Sequence, residues 1–321
     1  MKSIQELSSL ISGELSSIKY PKTPLSLYEP IEYILDLGGK RMRPILVLMA
    51  HQLFGKNIEK AIPPALAIEI FHNFTLLHDD IMDNAPLRRG QKTVHEKWNN
   101  NVAILSGDTM LVQAYQLMAD VDNTIVKQVL AVFSKAAIEV CEGQQWDMDF
   151  ETRSDVSITD YLKMIECKTA VLLGAALQIG GITAGASTQE QNYLYAFGRD
   201  LGIAFQLKDD LLDAFGNIET FGKQVGGDIM ANKKTYLYLK ALALSDKNQR
   251  ANLKQYFSTN DTSQLKVDSV KAIFSKLAIP ELTTNLIKEY HSKAMDNLAA
   301  INSENKEPLL VFSSLLMDRV S

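Results

Sequence analysis

The sequence predicts an all-α fold, a single-domain helical bundle over residues 1–321, and three observations point to it. Prolines fall at 21, 24, 30, 44, 63, 64 and 86 and not again until 280 and 308, so the chain from Leu87 to Ile279 can run in long uninterrupted helices. Apolar residues recur with the helical period: Met110, Ala114, Leu117 and Met118 share one face, as do Ile165, Thr169, Leu172 and Leu173. Strand-like alternation with β-branched enrichment is hard to find anywhere.

In chain order the pattern predicts helices near 2–18, 25–37, 41–54, 61–84, 101–120, 124–150, 159–180 and 189–215. It continues near 231–244, 247–257, 264–301 with a break at Pro280, and 305–319. Stop signals stand between them at Asn99 to Asn101, Asp120 to Thr124, Gly180-Gly181 and Asn260 to Thr262. Phe215 to Asp228, with Gly216, Gly222, Gly226 and Gly227, is either a lid or a long surface loop. No composition shift marks a domain border, and no repeat recurs at solenoid spacing.

Hydrophobic residues make up 46% of the 321, enough for a sizeable core. The formal net charge of −5 argues against a nucleic-acid or anionic-membrane partner, although local basic clusters remain available for phosphates. Cys141 and Cys167 lie in apolar helical runs without a CxxC pair, which predicts buried free thiols in a reducing compartment. The first residues, MKSIQELSSLISGEL, lack the apolar core of a signal peptide. No run of 18 apolar residues occurs, so no stable membrane insertion is expected and the protein is expected in the cytoplasm.

Two acidic motifs stand out. Asp79-Asp80-Ile81-Met82-Asp83 closes the mostly apolar run Ile68 to Leu77, and Asp209-Asp210-Leu211-Leu212-Asp213 closes Leu201 to Leu207. On a helix, Asp79 with Asp83 and Asp209 with Asp213 stack one turn apart on one face. A single DDxxD is usually a solvated helix face. Here there are two, each ends an apolar helix, and neither has a lysine or arginine four residues away to relieve the repulsion. Divalent cations would relieve it, and all-oxygen ligands select Mg²⁺, which favours carboxylate together with substrate phosphate.

Cations for such phosphates occur in compact groups. Gly38-Gly39-Lys40-Arg41-Met42-Arg43-Pro44 places three at a helix start, where free backbone N–H groups also favour an anion. Arg88-Arg89-Gly90 begins five residues past Asp83. Lys168-Thr169 lies inside an otherwise apolar helix, where a lysine either snorkels or meets an anion. Lys223 lies in the glycine-rich loop and Lys233 just beyond it. No GxxxxGK[ST] occurs, which disfavours nucleotide hydrolysis.

The ordered set GGKRMRP, HNFTLLHDDIMDNAPLRRG, GQQWDMD, KT, FQLKDDLLD, GKQVGGD and NKKT resembles the trans-prenyltransferases, the short-chain polyprenyl diphosphate synthases. The match runs from Gly38 to about Thr235. The resemblance implies the isoprenoid synthase fold, a helical bundle around a central cavity, usually homodimeric, with three Mg²⁺ per active site. It implies Asp79, Asp83 and Asp209 as metal ligands, with Asp80, Asp210 and Asp213 in support. Arg88, Lys168, Thr169, Gln206, Lys223 and Lys233 match positions that hold the allylic diphosphate. Lys40, Arg43, His72 and Arg89 match the isopentenyl diphosphate site, and Arg41 is adjacent. His72 lies two helical turns before Asp79, hence near the same face, whereas His51, His78, His95 and His291 are read as ordinary structural histidines.

The expected chemistry is ionisation of an allylic diphosphate, attack by the isopentenyl double bond, and loss of a proton to the released diphosphate. Phe74, about 7.5 Å up the helix from Asp79, is either part of the floor that limits product length or an ordinary core residue. By the resemblance, an aromatic there with the small Thr75 beside it looks like a C20 producer, with C15 second. Two rival readings are a class I terpene cyclase and a regulatory subunit of a heteromeric synthase. The second intact DDxxD and the isopentenyl-site cations oppose the first, and the six retained aspartates oppose the second.

Overall fold

The computed structural model describes residues 2–216 and 226–317. Lys223 and Gly222 therefore lie outside the described residues. The helices are α1 Ile4–Ser17, α2 Leu25–Asp36, α3 Met42–Phe54, α4 Ile62–Met82, α5 Val94–Lys97, α6 Asn100–Ala119, α7 Val126–Thr152, α8 Ile158–Ile165, α9 Val171–Thr183 and α10 Thr188–Phe215. They continue with α11 Gly227–Met230, α12 Tyr236–Leu244, α13 Lys247–Tyr256, α14 Gln264–Lys276, α15 Ile279–Ala300 and α16 Glu307–Met317. The fold is all-α, as the proline distribution and apolar period predict.

Local chemistry accounts for several boundaries. Ser3 and Glu6 form a reciprocal capping box at α1, and Asp246 with Gln249 does the same at α13. Prolines occupy the first turn of α4, where their missing N–H costs nothing. The expected break near Pro280 falls two residues earlier, at Ala278 with φ 55°, because Pro280 is accommodated in the first turn of α15. The expected helix near 231–244 begins only at Tyr236, after Asn232 takes φ 59° and leaves the helical region. The expected helix near 159–180 is interrupted by a π-turn, Glu166–Ala170.

One small sheet escapes the helical pattern. Leu87–Arg88 (β1) and Gln91–Lys92 (β2) pair antiparallel across the two-residue turn Arg89-Gly90. Arg89 has φ 53° and Gly90 φ 75°, the doubly left-handed geometry of a tight hairpin turn.

The chain forms two compact units. One comprises Met1–Lys135, Ala175–Tyr195 and Ile301–Leu309; the other comprises Ala136–Gly174, Ala196–Ala300 and Leu310–Ser321. In the first unit α4 packs most extensively along α6, around the fully buried Phe71 and Phe133, whose rings meet edge to face at 5.2 Å. In the second, Phe150, Tyr161, Ile203, Leu207, Leu237 and Phe274 belong to one apolar cluster. The run Ile158–Thr183 is long and apolar enough to cross a membrane, but 78% of its most apolar window is buried inside the protein, which accounts for its composition. Both cysteines are free; Cys167 is buried as expected, whereas Cys141 is exposed on α7, a correction to the sequence reading.

Candidate active site

In the first unit, α4 carries His72, Phe74, Thr75, Asp79 and Asp80, with Asp83 as its C-terminal cap. The Asp83 N–H donates to the Asp79 carbonyl at 2.9 Å, so the two outer aspartates lie one helical turn apart. Asp80 differs from both. It is 2% exposed and accepts two bonds from Arg88, from Nε at 2.8 Å and from Nη2 at 2.7 Å. The same Nη2 lies 3.8 Å from Asp79. A guanidinium fork on a buried carboxylate is strong and directional. The tight hairpin presents Arg88 in this way, because its strand register turns Arg88 back beside the end of α4.

The turn also supplies Arg89, whose guanidinium lies against Gly39: a Cβ there would sit 2.6 Å from Arg89 Nη2. The structure thus brings the GGKRMRP loop and the RRG turn together. Lys40 is exposed in that loop, and Arg41 caps α3 with φ 45°. Arg43, in the first turn of α3, reaches α4, where its Nη1 lies 3.1 Å from His72 Nε2. An arginine can only donate, so this ring nitrogen accepts and carries no proton. Burial, reinforced by Arg43, Arg89 and Arg88, holds the His72 imidazole well below its usual range. Arg43 Nε is buried with no hydrogen-bond acceptor among the described residues, a donor suited to an anion.

Sequence reasoning missed Glu69. It is 4% exposed, accepts from Asn73 Nδ2 at 3.2 Å, and feels the charges of Arg43, Arg41 and Arg89. Burial raises its carboxyl above the usual value, and Arg43 opposes that rise. The signal was a lone acid in an apolar run, one turn before Asn73.

Phe74 is 8% exposed, and its ring contacts Phe71 at 5.6 Å and His78 at 4.7 Å. Thr75 turns its hydroxyl back to the His72 carbonyl at 2.8 Å, leaving little side chain to project. His78 lies within hydrogen-bond reach of the Ile104 carbonyl, and His51 of the Thr183 hydroxyl.

The second unit repeats the first motif's logic with different partners. α10 carries Gln206, Asp209, Asp210 and Asp213. Asp210, the middle residue, is 5% exposed and accepts from the Tyr161 hydroxyl and from Gln206 Nε2. Burial, with Asp228 and Asp209 nearby, pushes its carboxyl up to about 8 against the two hydrogen bonds. Gln206 Oε1 accepts in turn from Thr169 Oγ1 at 3.2 Å. Asp213 accepts the Asp228 N–H at 2.9 Å, and Lys233 approaches Asp228 at 3.8 Å.

Lys168 and Thr169 stand on the π-turn, and Lys168 Nζ pairs with Asp147 of α7. Two glycines let the turn sit where it does. A Cβ on Gly143 would fall 2.2 Å from Lys168 N, and one on Gly202 would fall 2.7 Å from Ala170 Cα. A cavity of about 120 Å³ is bordered by Asp147, Lys168, Thr169, Gln206, Asp210 and Lys233. Lys234 also borders this cavity and donates to the carbonyls of Phe150 and Glu151 near the end of α7. Asp147 was visible in GQQWDMD and Asp228 in GKQVGGD, both without a role; Tyr161 carried no sequence signal.

The donor set can be tested against a metal. No group of three or more His, Cys, Asp or Glu able to hold an ion occurs among the described residues. The carboxylates of the two motifs are hard oxygen donors, the type that Mg²⁺ takes together with water and substrate phosphate. The middle aspartates Asp80 and Asp210 are buried and engaged within the protein, and Asp79, Asp83 and Asp209 are more accessible.

An all-α chain with two anchored aspartate turns and sets of positioned cations defines the class of all-α isoprenoid synthases. The polyprenyl synthetase family model matches residues 24–277, and the chain belongs to that family. It is a prenyltransferase. It is 42% identical over 240 residues to a geranylgeranyl diphosphate synthase of Methanosarcina mazei, covering 74% of each chain. It is 38% identical over 257 residues to a geranylfarnesyl diphosphate synthase of Natronomonas pharaonis, covering 74% of this chain and 75% of the other. Among solved structures, a geranylgeranyl pyrophosphate synthase superposes with a TM-score of 0.95 at 49% identity, over 100% of both chains.

Proposed function

We propose that residues 1–321 act as one synthase domain that condenses isopentenyl diphosphate with allylic diphosphates to geranylgeranyl diphosphate. The observation that carries the reading is the contrast in burial within each motif: Asp80, held by Arg88, and Asp210, held by Tyr161, are buried, whereas Asp79, Asp83 and Asp209 are more exposed. Asp79, Asp83 and Asp209 are the proposed Mg²⁺ ligands. Bound Mg²⁺ supplies Lewis-acid stabilisation of a departing diphosphate.

The chain's own groups bind and shield. Lys168, oriented by Asp147, and Thr169, linked to Gln206, point charge and dipole at the allylic carbon as its diphosphate leaves. Lys233 and Arg88 contribute positive charge at the allylic diphosphate, with Lys223 assigned the same role from sequence. Lys40, Arg43, Arg89 and the neutral His72 receive the isopentenyl diphosphate; the unsatisfied Arg43 Nε supports this. Proton loss needs no side-chain base, since the released diphosphate can take it. Apolar walls such as Phe74 exclude water that would quench the cation. Phe74 and Thr75 set the floor.

A homodimer and a cytoplasmic location belong to the same reading. In support of a dimer, α6 exposes Ile104, Leu105 and Val112 at 42%, 59% and 59%. The test is mass spectrometry of products from labelled isopentenyl diphosphate with each allylic primer and Mg²⁺. Geranylgeranyl diphosphate should dominate. A hydrocarbon formed from geranylgeranyl diphosphate alone, or no condensation at all, would refute the reading.

A further inference from the structure

Lys266 is a buried amine that the chemistry above does not use. It lies near the start of α14 and is 1% exposed, which is costly for an ammonium unless a partner receives it. Its Nζ donates to Asn232 Oδ1 at 2.7 Å and stands 5.8 Å from the Phe257 ring centroid. Burial lowers the amine's pKa, and Asp261 opposes that shift.

Asn232 is the residue immediately before Lys233. It holds φ 59°, a left-handed conformation that costs a non-glycine residue energy unless its surroundings enforce it. Its side chain is held at both ends: Oδ1 accepts from Lys266, and Nδ2 donates to the Thr259 carbonyl at 2.9 Å. At the other end of α11, Gly226 is also left-handed, with φ 87°. Val267, the residue after Lys266, fills the space beside it, where a Cβ on Gly226 would meet Val267 Cγ1 at 2.5 Å. Consecutive residues of α14 therefore brace the two left-handed residues that flank α11. Between them, Asp228 donates its N–H to Asp213, and the Lys233 N–H returns to the Asp228 carbonyl at 2.9 Å.

We propose that Lys266 is a positioning residue for the allylic diphosphate: through Asn232 it sets the turn that delivers Lys233 and Asp228 to the cavity they border. This rests on the prenyltransferase reading, which the wild-type condensation assay checks first and separately. Lys266 touches no substrate. Its effect passes through Lys233, and a small displacement of a charged contact is costly where geometry governs rate.

The test compares steady-state kinetics of the wild-type chain with Lys266→Met, Lys266→Arg and Asn232→Gly, using farnesyl diphosphate and isopentenyl diphosphate. Methionine keeps the length of the side chain without the donor, and glycine keeps the left-handed backbone without the acceptor. Lys266→Met and Asn232→Gly should each raise KM for farnesyl diphosphate about tenfold and leave KM for isopentenyl diphosphate unchanged. Lys266→Arg should restore most of the loss, and Lys266→Met should add little on a Lys233→Ala background. Wild-type KM for farnesyl diphosphate in both folded variants would overturn the proposal. So would equal losses toward both substrates, and so would failure of both variants to fold, since Lys266 would then only support the fold.

Discussion

Arg88 grips Asp80 at two points, 2.8 Å from Nε and 2.7 Å from Nη2, and so makes the middle carboxylate of the first motif part of the protein's frame. Asp80 is 2% exposed, so losing its partner would strand a buried charge. Arg88→Ala should cost about 3 kcal/mol in urea unfolding. Arg88→Lys should recover only part of that, because a lysine cannot fork. Equal stability of the lysine variant and the wild type would show that the bidentate geometry carries no energy.

The outer aspartates should behave differently. Asp79→Ala and Asp209→Ala remove carboxylates that are more accessible than Asp80 or Asp210. Circular dichroism and melting temperature should change little, while turnover falls by at least about a hundredfold. Near-normal turnover in either variant would remove that residue from the metal ligands.

His72 gives the fold an acid sensitivity. Burial and the neighbouring guanidiniums hold its imidazole well below 6.5, so it is neutral in the folded protein at neutral pH. Above that value the folded and unfolded forms bind the same protons at this position. As the pH falls through it, the unfolded chain takes up a proton that the folded ring refuses, and stability declines. His72→Gln should flatten the slope of unfolding free energy below about pH 6.5 relative to the wild type. Parallel slopes would mean that the ring protonates freely in the folded state.

Gly143 and Gly202 leave no room for a methyl group, since each Cβ would fall within 3 Å of the π-turn's backbone. Gly143→Ala and Gly202→Ala should each cost about 1–3 kcal/mol of stability. In whatever fraction remains folded, they should weaken allylic diphosphate binding, measured by calorimetry. Isopentenyl diphosphate binding should be spared.

Phe74→Ala should lengthen the product, read by mass spectrometry, and cost about 3 kcal/mol for a buried ring removed from Phe71 and His78. An unchanged product distribution would return Phe74 to the ordinary core.

The helices were legible because prolines and apolar period act locally. Each long one begins and ends within a few residues of where those signals place it. The candidate site was legible as residue types in order, but its pairings were not. Arg88 could be placed near the first motif from spacing alone, yet nothing in the spacing says that it takes Asp80 rather than Asp79 or Asp83. Asp147 and Lys168 are 21 residues apart, and only packing joins them. Lys266 sits in LKVDSVK, a run to which the sequence assigns no role beyond helix, and its burial is a tertiary fact. Cys141 shows the reverse: an apolar neighbourhood in sequence that the fold leaves outside.

The π-turn at Glu166–Ala170 amounts to one residue inserted into an α-helix. Deleting a residue there should restore plain helical pitch with the two flanks still in register, and shift residues of the turn itself round the helix by about 100°. A lineage that dropped that residue would keep the bundle and its apolar stripe, yet would turn its lysine away from the neighbouring acid. The number of residues in this turn, and not their identity alone, therefore decides whether Lys168 meets Asp147.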